Sequence, residues 1–105
     1  MSKRRVVITG LGIVSPLGLT VNEFWQGLLE GRCGIGTIKA FDASEFPCRL
    51  ACEVPDYALR DYVPKSYRKA TKLMSRDIEL SVIAADEAFK NANAVTKANE
   101  IATPT

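Results

Sequence analysis

The sequence contains no histidine, only three cysteines and no long uninterrupted hydrophobic run. Without histidine, this chain alone cannot form a Cys-His or Ser-His nucleophile pair or a histidine-containing zinc site. The odd number of cysteines, with no C-x-x-C pair, excludes a four-cysteine zinc site and a fully paired disulfide framework. Sparse cysteine of this kind is typical of a reducing compartment. No apolar run approaches the roughly 18 residues that a membrane-spanning helix needs.

The 105 residues are otherwise ordinary for a globular protein, with 47% apolar and 25% charged side chains. Basic residues at positions 3–5 precede an apolar stretch up to Val14, as in a secretory signal. However, Gly10 and Gly12 interrupt this stretch, and no small-x-small cleavage site follows before Pro16. We therefore expect a cytoplasmic protein that does not associate with membranes.

Positive charge is concentrated between residues 60 and 76, which hold six basic side chains and one acidic one. Such a segment attracts an anionic partner, although a solvated helix end without a partner has the same pattern. At α-helical spacing, five of the cations share one surface. Because Tyr67 is the only aromatic residue among them, an acidic protein is a better partner than nucleic acid. The five residues, here named the basic cluster, are Lys65, Arg68, Lys69, Lys72 and Arg76.

The amino-terminal half has the pattern of an α/β protein. The β-branched run Arg5–Thr9 predicts a strand buried on both faces of a parallel sheet. Thr20 and Glu23 form a capping box in which each side chain accepts a hydrogen bond from the other residue's backbone. A helix is predicted to begin at Val21 and to stop at Gly31.

Residues 32–47 are predicted to form a loop, followed by a half-exposed strand at Leu50, Cys52 and Val54 with Cys52 in the core. A short helical piece is expected after Asp56. A long helix then begins between residues 65 and 70 and stops at Asn91 or Asn93. Its apolar stripe comprises Met74, Ile78, Val82, Ala85, Phe89 and Ala92. These elements include too few strands for a parallel sheet, so we expect the missing strands to come from a larger assembly.

Two other candidate sites are weak. Gly10-x-Gly12 follows a predicted strand, but Ser15 stands where a dinucleotide fingerprint needs its third glycine, which favours a structural turn over an oxidoreductase. Cys33 follows Arg32, a cation of the kind found beside reactive thiols, but nothing else in the sequence would activate it. We expect no metal and no cofactor.

The sequence resembles the β-ketoacyl-acyl carrier protein synthases of the type II elongating kind. The run from Met1 to Gly18, MSKRRVVITGLGIVSPLG, is similar to their amino-terminal signature, and the similarity continues through Phe41-Asp42-Ala43-Ser44 and the helix 77–92. The resemblance implies an incomplete amino-terminal part of a thiolase-like αβαβα layered fold over residues 1–105, truncated before the nucleophile region. It also implies a homodimer and acyl carrier protein as a partner.

The family carries out a decarboxylative Claisen condensation with one cysteine and two histidines. None of Cys33, Cys48 and Cys52 matches the nucleophile motif, so we expect no catalytic residue in this chain. In the family a basic surface near this helix is thought to dock the acidic carrier protein, which makes the basic cluster the candidate site. An alternative is a non-catalytic fragment that binds acyl carrier protein or a synthase subunit.

Overall fold

The computed structural model describes residues 3–94. Within this range the chain forms helix α1 (Val21–Leu29), strands β1 (Ile35–Thr37) and β2 (Leu50–Cys52), and helix α2 (Arg76–Asn91). Two 3₁₀ helices, Leu59–Asp61 and Lys65–Leu73, lie between β2 and α2. The second of these is called the 3₁₀ segment below.

The predicted amino-terminal strand is extended but unpaired. Arg5–Thr9 forms no strand, and Val6 is 93% exposed. A strand needs a neighbour to bond its N–H and C=O groups, and no strand of the described residues pairs with this run. The prediction of a strand buried on both faces is therefore wrong for this chain by itself.

The glycine-rich connection after this run packs directly on α2. A Cβ atom at Gly12 would collide with the carbonyl oxygen of Ala84, and one at Gly10 would lie 2.7 Å from the Ala92 nitrogen. The Leu11 N–H donates to Asn91 Oδ1 at 3.2 Å along the same contact. The glycines thus allow backbone to touch backbone, which is the structural role favoured by the sequence.

Helix α1 begins at Val21 and is followed by Gly31 with φ of 69°, both as predicted. The Glu23 N–H donates to Thr20 Oγ1 at 3.1 Å, which confirms one half of the capping box. The other half differs, because the Glu23 carboxylate accepts the Leu19 N–H at 3.0 Å instead of the Thr20 N–H. The Val21 N–H, at the first position of the helix, donates to Glu87 of α2.

Strands β1 and β2 form an antiparallel hairpin in which Ile35 pairs with Cys52. The sequence pattern predicts β2, but β1 lies within residues 32–47, which are predicted to form a loop. The Glu53 carboxylate, next to β2, holds the start of the loop that follows β1 by accepting the Lys39 and Ala40 N–H groups at 2.9 and 3.0 Å. Cys52 is exposed, so its predicted place in the core is wrong. Leu50 is exposed on the same strand.

Helix α2 starts later than predicted, at Arg76, because Met74 and Ser75 are extended. Beyond its carboxyl end, Asn93 has a φ of 55°, the left-handed conformation expected for a helix stop. Ile83 is only 1% exposed, whereas Ile78 and Phe89 of the predicted stripe remain exposed. The buried apolar residues of the described range are Ala43, Val63 and Ile83.

The surface is too large for a folded monomer of this mass. It measures 8659 Å² for 11.5 kDa, whereas size scaling gives about 5,800 Å² for a compact monomer. Apolar side chains on the amino-terminal run, α1 and α2 contribute to this excess. Their exposure agrees with the expectation that further layers are needed to complete the core. Within residues 3–94, no helix has the length and apolar character required to cross a membrane.

Candidate functional site

The basic cluster occupies two elements instead of one. Lys65, Arg68, Lys69 and Lys72 lie on the 3₁₀ segment, and Arg76 is the first residue of α2. Between them the extended residues Met74 and Ser75 interrupt the helix. The predicted single α-helical surface is therefore wrong, because the tighter 3₁₀ geometry and this break rotate the side chains relative to one another.

Within the 3₁₀ segment the cations form two rows. Three residues complete each turn, so side chains three apart are aligned. Lys65 and Arg68 form one row, and Lys69 and Lys72 form the next. All four are exposed. The geometry therefore presents four positive charges on two adjacent sides of one short rod.

No carboxylate neutralises these charges within the described part of the chain. Its salt bridges are Arg32–Glu30 and Lys90–Asp86, both at 2.9 Å, and neither involves the basic cluster. The acidic residues of the first turn of α2, Asp77 and Glu79, also make no salt bridge with it. The positive charge is therefore available to an acidic partner.

Arg76 is held in place by Tyr57. Its guanidinium lies 5.4 Å from the centre of the Tyr57 ring, and Nη1 donates to the Tyr57 hydroxyl at 3.3 Å. The same hydroxyl donates to Glu79 Oε2 at 3.0 Å. Partial burial, followed by the hydrogen bond to Glu79, raises the pKa of Tyr57, against a smaller opposing effect of Arg76. Arg76 is thus a fixed member of the cluster, whereas the four other cations extend into solvent.

The three cysteines carry free thiols. Cys33, Cys48 and Cys52 are all free and exposed, and the Cys48 thiol donates to the Leu50 carbonyl oxygen at 3.7 Å. Among residues 3–94, no group of three or more Cys, Asp or Glu side chains is arranged to hold a metal ion. A groove of 760 Å³ lies between the hairpin and Arg76, and Cys52 and Glu53 are among its lining residues.

Sequence reasoning missed Glu87, which joins three parts of the chain. Its carboxylate accepts the Ile13 N–H at 3.1 Å and the Val21 N–H at 2.9 Å, and so ties the glycine-rich connection and α1 to α2. The only sequence signal is an acidic residue between the small residues Ala84 and Ala88. Because an exposed glutamate on an amphipathic helix has the same local pattern, its partners become evident only in the fold.

Comparison with known proteins now decides the family. The family model described as the β-ketoacyl synthase amino-terminal domain matches residues 3–103. The chain belongs to the β-ketoacyl synthase family. The recognition made from the opening residues is thereby confirmed.

Among relatives of this β-ketoacyl synthase chain, 3-oxoacyl-acyl-carrier-protein synthase 2 of Synechocystis is 43% identical over 95 residues. That match covers 90% of the chain and 22% of the relative. The actinorhodin polyketide putative β-ketoacyl synthase 2 of Streptomyces coelicolor is 37% identical, covering 85% of the chain and 21% of the relative. The chain therefore spans about a fifth of the length of these curated relatives.

The solved structure of the ishigamide ketosynthase/chain length factor superposes on the chain with a TM-score of 0.73 at 35% identity. The match covers 93% of this chain and 23% of the solved chain. The expected fold class is confirmed: the chain has the α/β architecture of an incomplete amino-terminal part of the thiolase-like αβαβα fold. The large exposed apolar surface is what such a part presents without its neighbouring layers.

Proposed function

We propose that this chain is the amino-terminal portion of an acyltransferase that elongates fatty acid or polyketide chains. The reaction is a decarboxylative Claisen condensation. An acyl group is carried as a thioester on a cysteine, and malonyl-carrier protein loses CO₂ to give a carbanion. The carbanion attacks the acyl carbonyl and expels the cysteine thiolate, which leaves β-ketoacyl-carrier protein. The observation that carries this proposal is the family match over residues 3–103.

We place the catalytic cysteine and histidines outside this chain. It contains no histidine, and its three cysteines are exposed, free and unlike the nucleophile motif. Its own contribution is a strand and packing helices of the first half of the fold. We further propose that the complete synthase is a cytoplasmic homodimer, as the family resemblance implies.

The basic cluster is proposed to dock the acidic acyl carrier protein. Four cations stand on two exposed sides of the 3₁₀ segment, and none forms a salt bridge within residues 3–94. Long-range attraction between such a surface and an acidic protein increases the association rate and orients the encounter. The name of the Synechocystis relative, 3-oxoacyl-acyl-carrier-protein synthase 2, identifies a product carried by this protein.

Condensing activity is tested with a complete synthase, meaning this chain joined to the rest of a β-ketoacyl synthase, its own or that of the Synechocystis relative. With malonyl- and acyl-carrier protein, the complete synthase is expected to form β-ketoacyl product. The 105-residue chain alone is expected to form none. Product from the chain alone, or none from the complete synthase, would contradict the proposal.

Docking is tested by reversing two charges in the complete synthase. Arg68→Glu with Lys72→Glu removes one cation from each row and is expected to raise KM for malonyl-carrier protein while kcat changes little. The matched control reverses Lys39 and Arg49, two exposed cations at the hairpin, and makes the same change in net charge. Equal KM values for the two double variants would show that the basic cluster is only a solvated surface.

The alternative of a fragment that binds without catalysis is supported by none of the relatives reported above, which are named as synthases. The experiment that separates the two is a pull-down with carrier protein alongside the activity assay. Retention of carrier protein by a complete synthase that makes no product would favour the alternative.

A further inference from the structure

The 3₁₀ segment has a third side, which carries no charge. With three residues per turn, the row beside the two cation rows consists of Tyr67, Ala70 and Leu73. Tyr67 is 39% exposed, whereas Leu73 is 89% exposed. An almost fully exposed leucine thus stands at the carboxyl end of the most basic part of the chain.

Charge alone holds an exposed interface weakly. Surface ion pairs contribute little because water and salt screen them and because long side chains lose entropy when they pair. Stable protein interfaces place a desolvated apolar contact at the centre and charged residues at the rim. In the 3₁₀ segment the cations occupy two sides and Leu73 is the large aliphatic side chain on the remaining one.

We propose that Leu73 is an apolar anchor of the docking surface and that it packs on an apolar spot bordered by the acidic residues of the carrier protein. This inference rests on the proposed function. The partner is selected by charge complementarity, since Lys69 and Lys72 form the row next to that of Leu73 and lack acidic partners within residues 3–94. The cations would then determine the association rate and its salt dependence, whereas Leu73 would determine the dissociation rate of the complex.

The local structure keeps Leu73 in position. The segment begins after Pro64, whose carbonyl oxygen accepts the Tyr67 N–H at 2.9 Å. It ends where the Met74 N–H donates to the Thr71 carbonyl oxygen at 3.2 Å, immediately after Leu73. The extended residues that follow direct the chain into α2, where Tyr57 holds Arg76.

The experiment compares Leu73→Ala with Ser66→Ala in the complete synthase, since Ser66 is an exposed, uncharged residue of the same 3₁₀ segment. KM is measured for malonyl-carrier protein and for a malonyl thioester of a small thiol, which lacks the protein surface. Leu73→Ala is expected to raise KM for the carrier-linked substrate roughly tenfold, the effect of losing one buried aliphatic side chain. KM for the small thioester is expected to stay unchanged, and Ser66→Ala is expected to alter neither value.

Salt dependence separates the two kinds of residue. The Kd for carrier protein is measured over a range of ionic strength. Leu73→Ala is expected to weaken binding equally at all salt concentrations, whereas Arg68→Glu with Lys72→Glu reduces the slope. Leu73→Met, which restores apolar volume, is expected to recover most of the affinity.

Two results overturn the inference. One is an unchanged carrier-linked KM in Leu73→Ala. The other is an equal rise for both substrates, which shows that Leu73 is covered by the rest of the synthase and supports its fold. Failure of the proposed function is distinct from both, because the charge-reversal variant would then also leave KM unchanged or the unmodified complete synthase would make no product.

Discussion

Removal of the Glu87 side chain should lower the stability of the amino-terminal half of the chain. Its carboxylate accepts two backbone N–H groups, from Ile13 at 3.1 Å and from Val21 at 2.9 Å. Val21 is the first residue of α1, so its N–H has no partner within the helix, and the negative charge also lies at the positive end of the helix dipole. One carboxylate therefore satisfies the start of α1 and holds the glycine-rich connection against α2.

The magnitude follows from these contacts. A hydrogen bond to a charged group contributes about 1.5–3 kcal/mol, and the helix-dipole interaction of a carboxylate about 0.3–1 kcal/mol at an exposed position and up to about 2 kcal/mol at a partly buried one. Glu87 is half-buried, so in the alanine variant water can bind the freed N–H groups and recover part of the lost hydrogen-bond energy. Glu87→Ala should therefore lower the free energy of unfolding by roughly 2–3 kcal/mol. Glu87→Gln keeps one acceptor oxygen and should lose about 1 kcal/mol.

The assay combines denaturation of the complete synthase with hydrogen exchange of the peptide that covers residues 11–24. Faster exchange at Ile13 and Val21 in Glu87→Ala would locate the loss. The control is Asp86→Ala at the neighbouring, also half-buried position of α2, which removes the i,i+4 pair with Lys90, worth about 0.3–0.5 kcal/mol. If the two alanine variants lose the same stability, or if exchange of this peptide is unchanged, the assigned role of Glu87 is refuted.

Two further outcomes test the packing. Gly12→Ala in the complete synthase should lower the free energy of unfolding by about 1–3 kcal/mol because the added Cβ would collide with Ala84. The control, Gly36→Ala, should change it little, since no atom of the described residues lies within 4 Å of a Cβ at Gly36. Equal effects of the two variants in a denaturant titration would contradict the close contact at Gly12. The isolated 105-residue chain, with its large exposed apolar surface, should bind a hydrophobic dye and melt without a cooperative transition in calorimetry, and a sharp transition of a monomer would contradict this account.

The start of α1, both helix stops and the glycine turn were predicted correctly because each depends on residues that are close together in the sequence. The start of α1 depends on Thr20, whose hydroxyl oxygen accepts the Glu23 N–H three residues later. The stops at Gly31 and Asn93 depend on residues that tolerate a positive φ. The close packing of Gly10 and Gly12 agrees with the structural turn favoured over a dinucleotide site.

Predictions failed where they depended on groups distant in sequence. Val6 and its neighbours have the composition of a buried strand, but no described strand pairs with them. Cys52 falls on the apolar phase of β2, yet its side chain is exposed in the hairpin that β2 forms with β1. The basic cluster was expected on one α-helical surface, and the extended residues Met74 and Ser75 instead divide it between two elements.

The amino-acid sequence by itself was sufficient for the family, for the helix ends and for the concentration of positive charge, because these depend on residue identity and on spacings of a few positions. Only the tertiary structure revealed the Glu87 contacts and the uncharged row that ends at Leu73. The reason is geometric. Ile13 and Glu87 are separated by 74 positions along the chain and meet only when α2 packs on the glycine-rich connection. The side on which Leu73 lies depends on whether the backbone completes a turn in 3.0 or 3.6 residues.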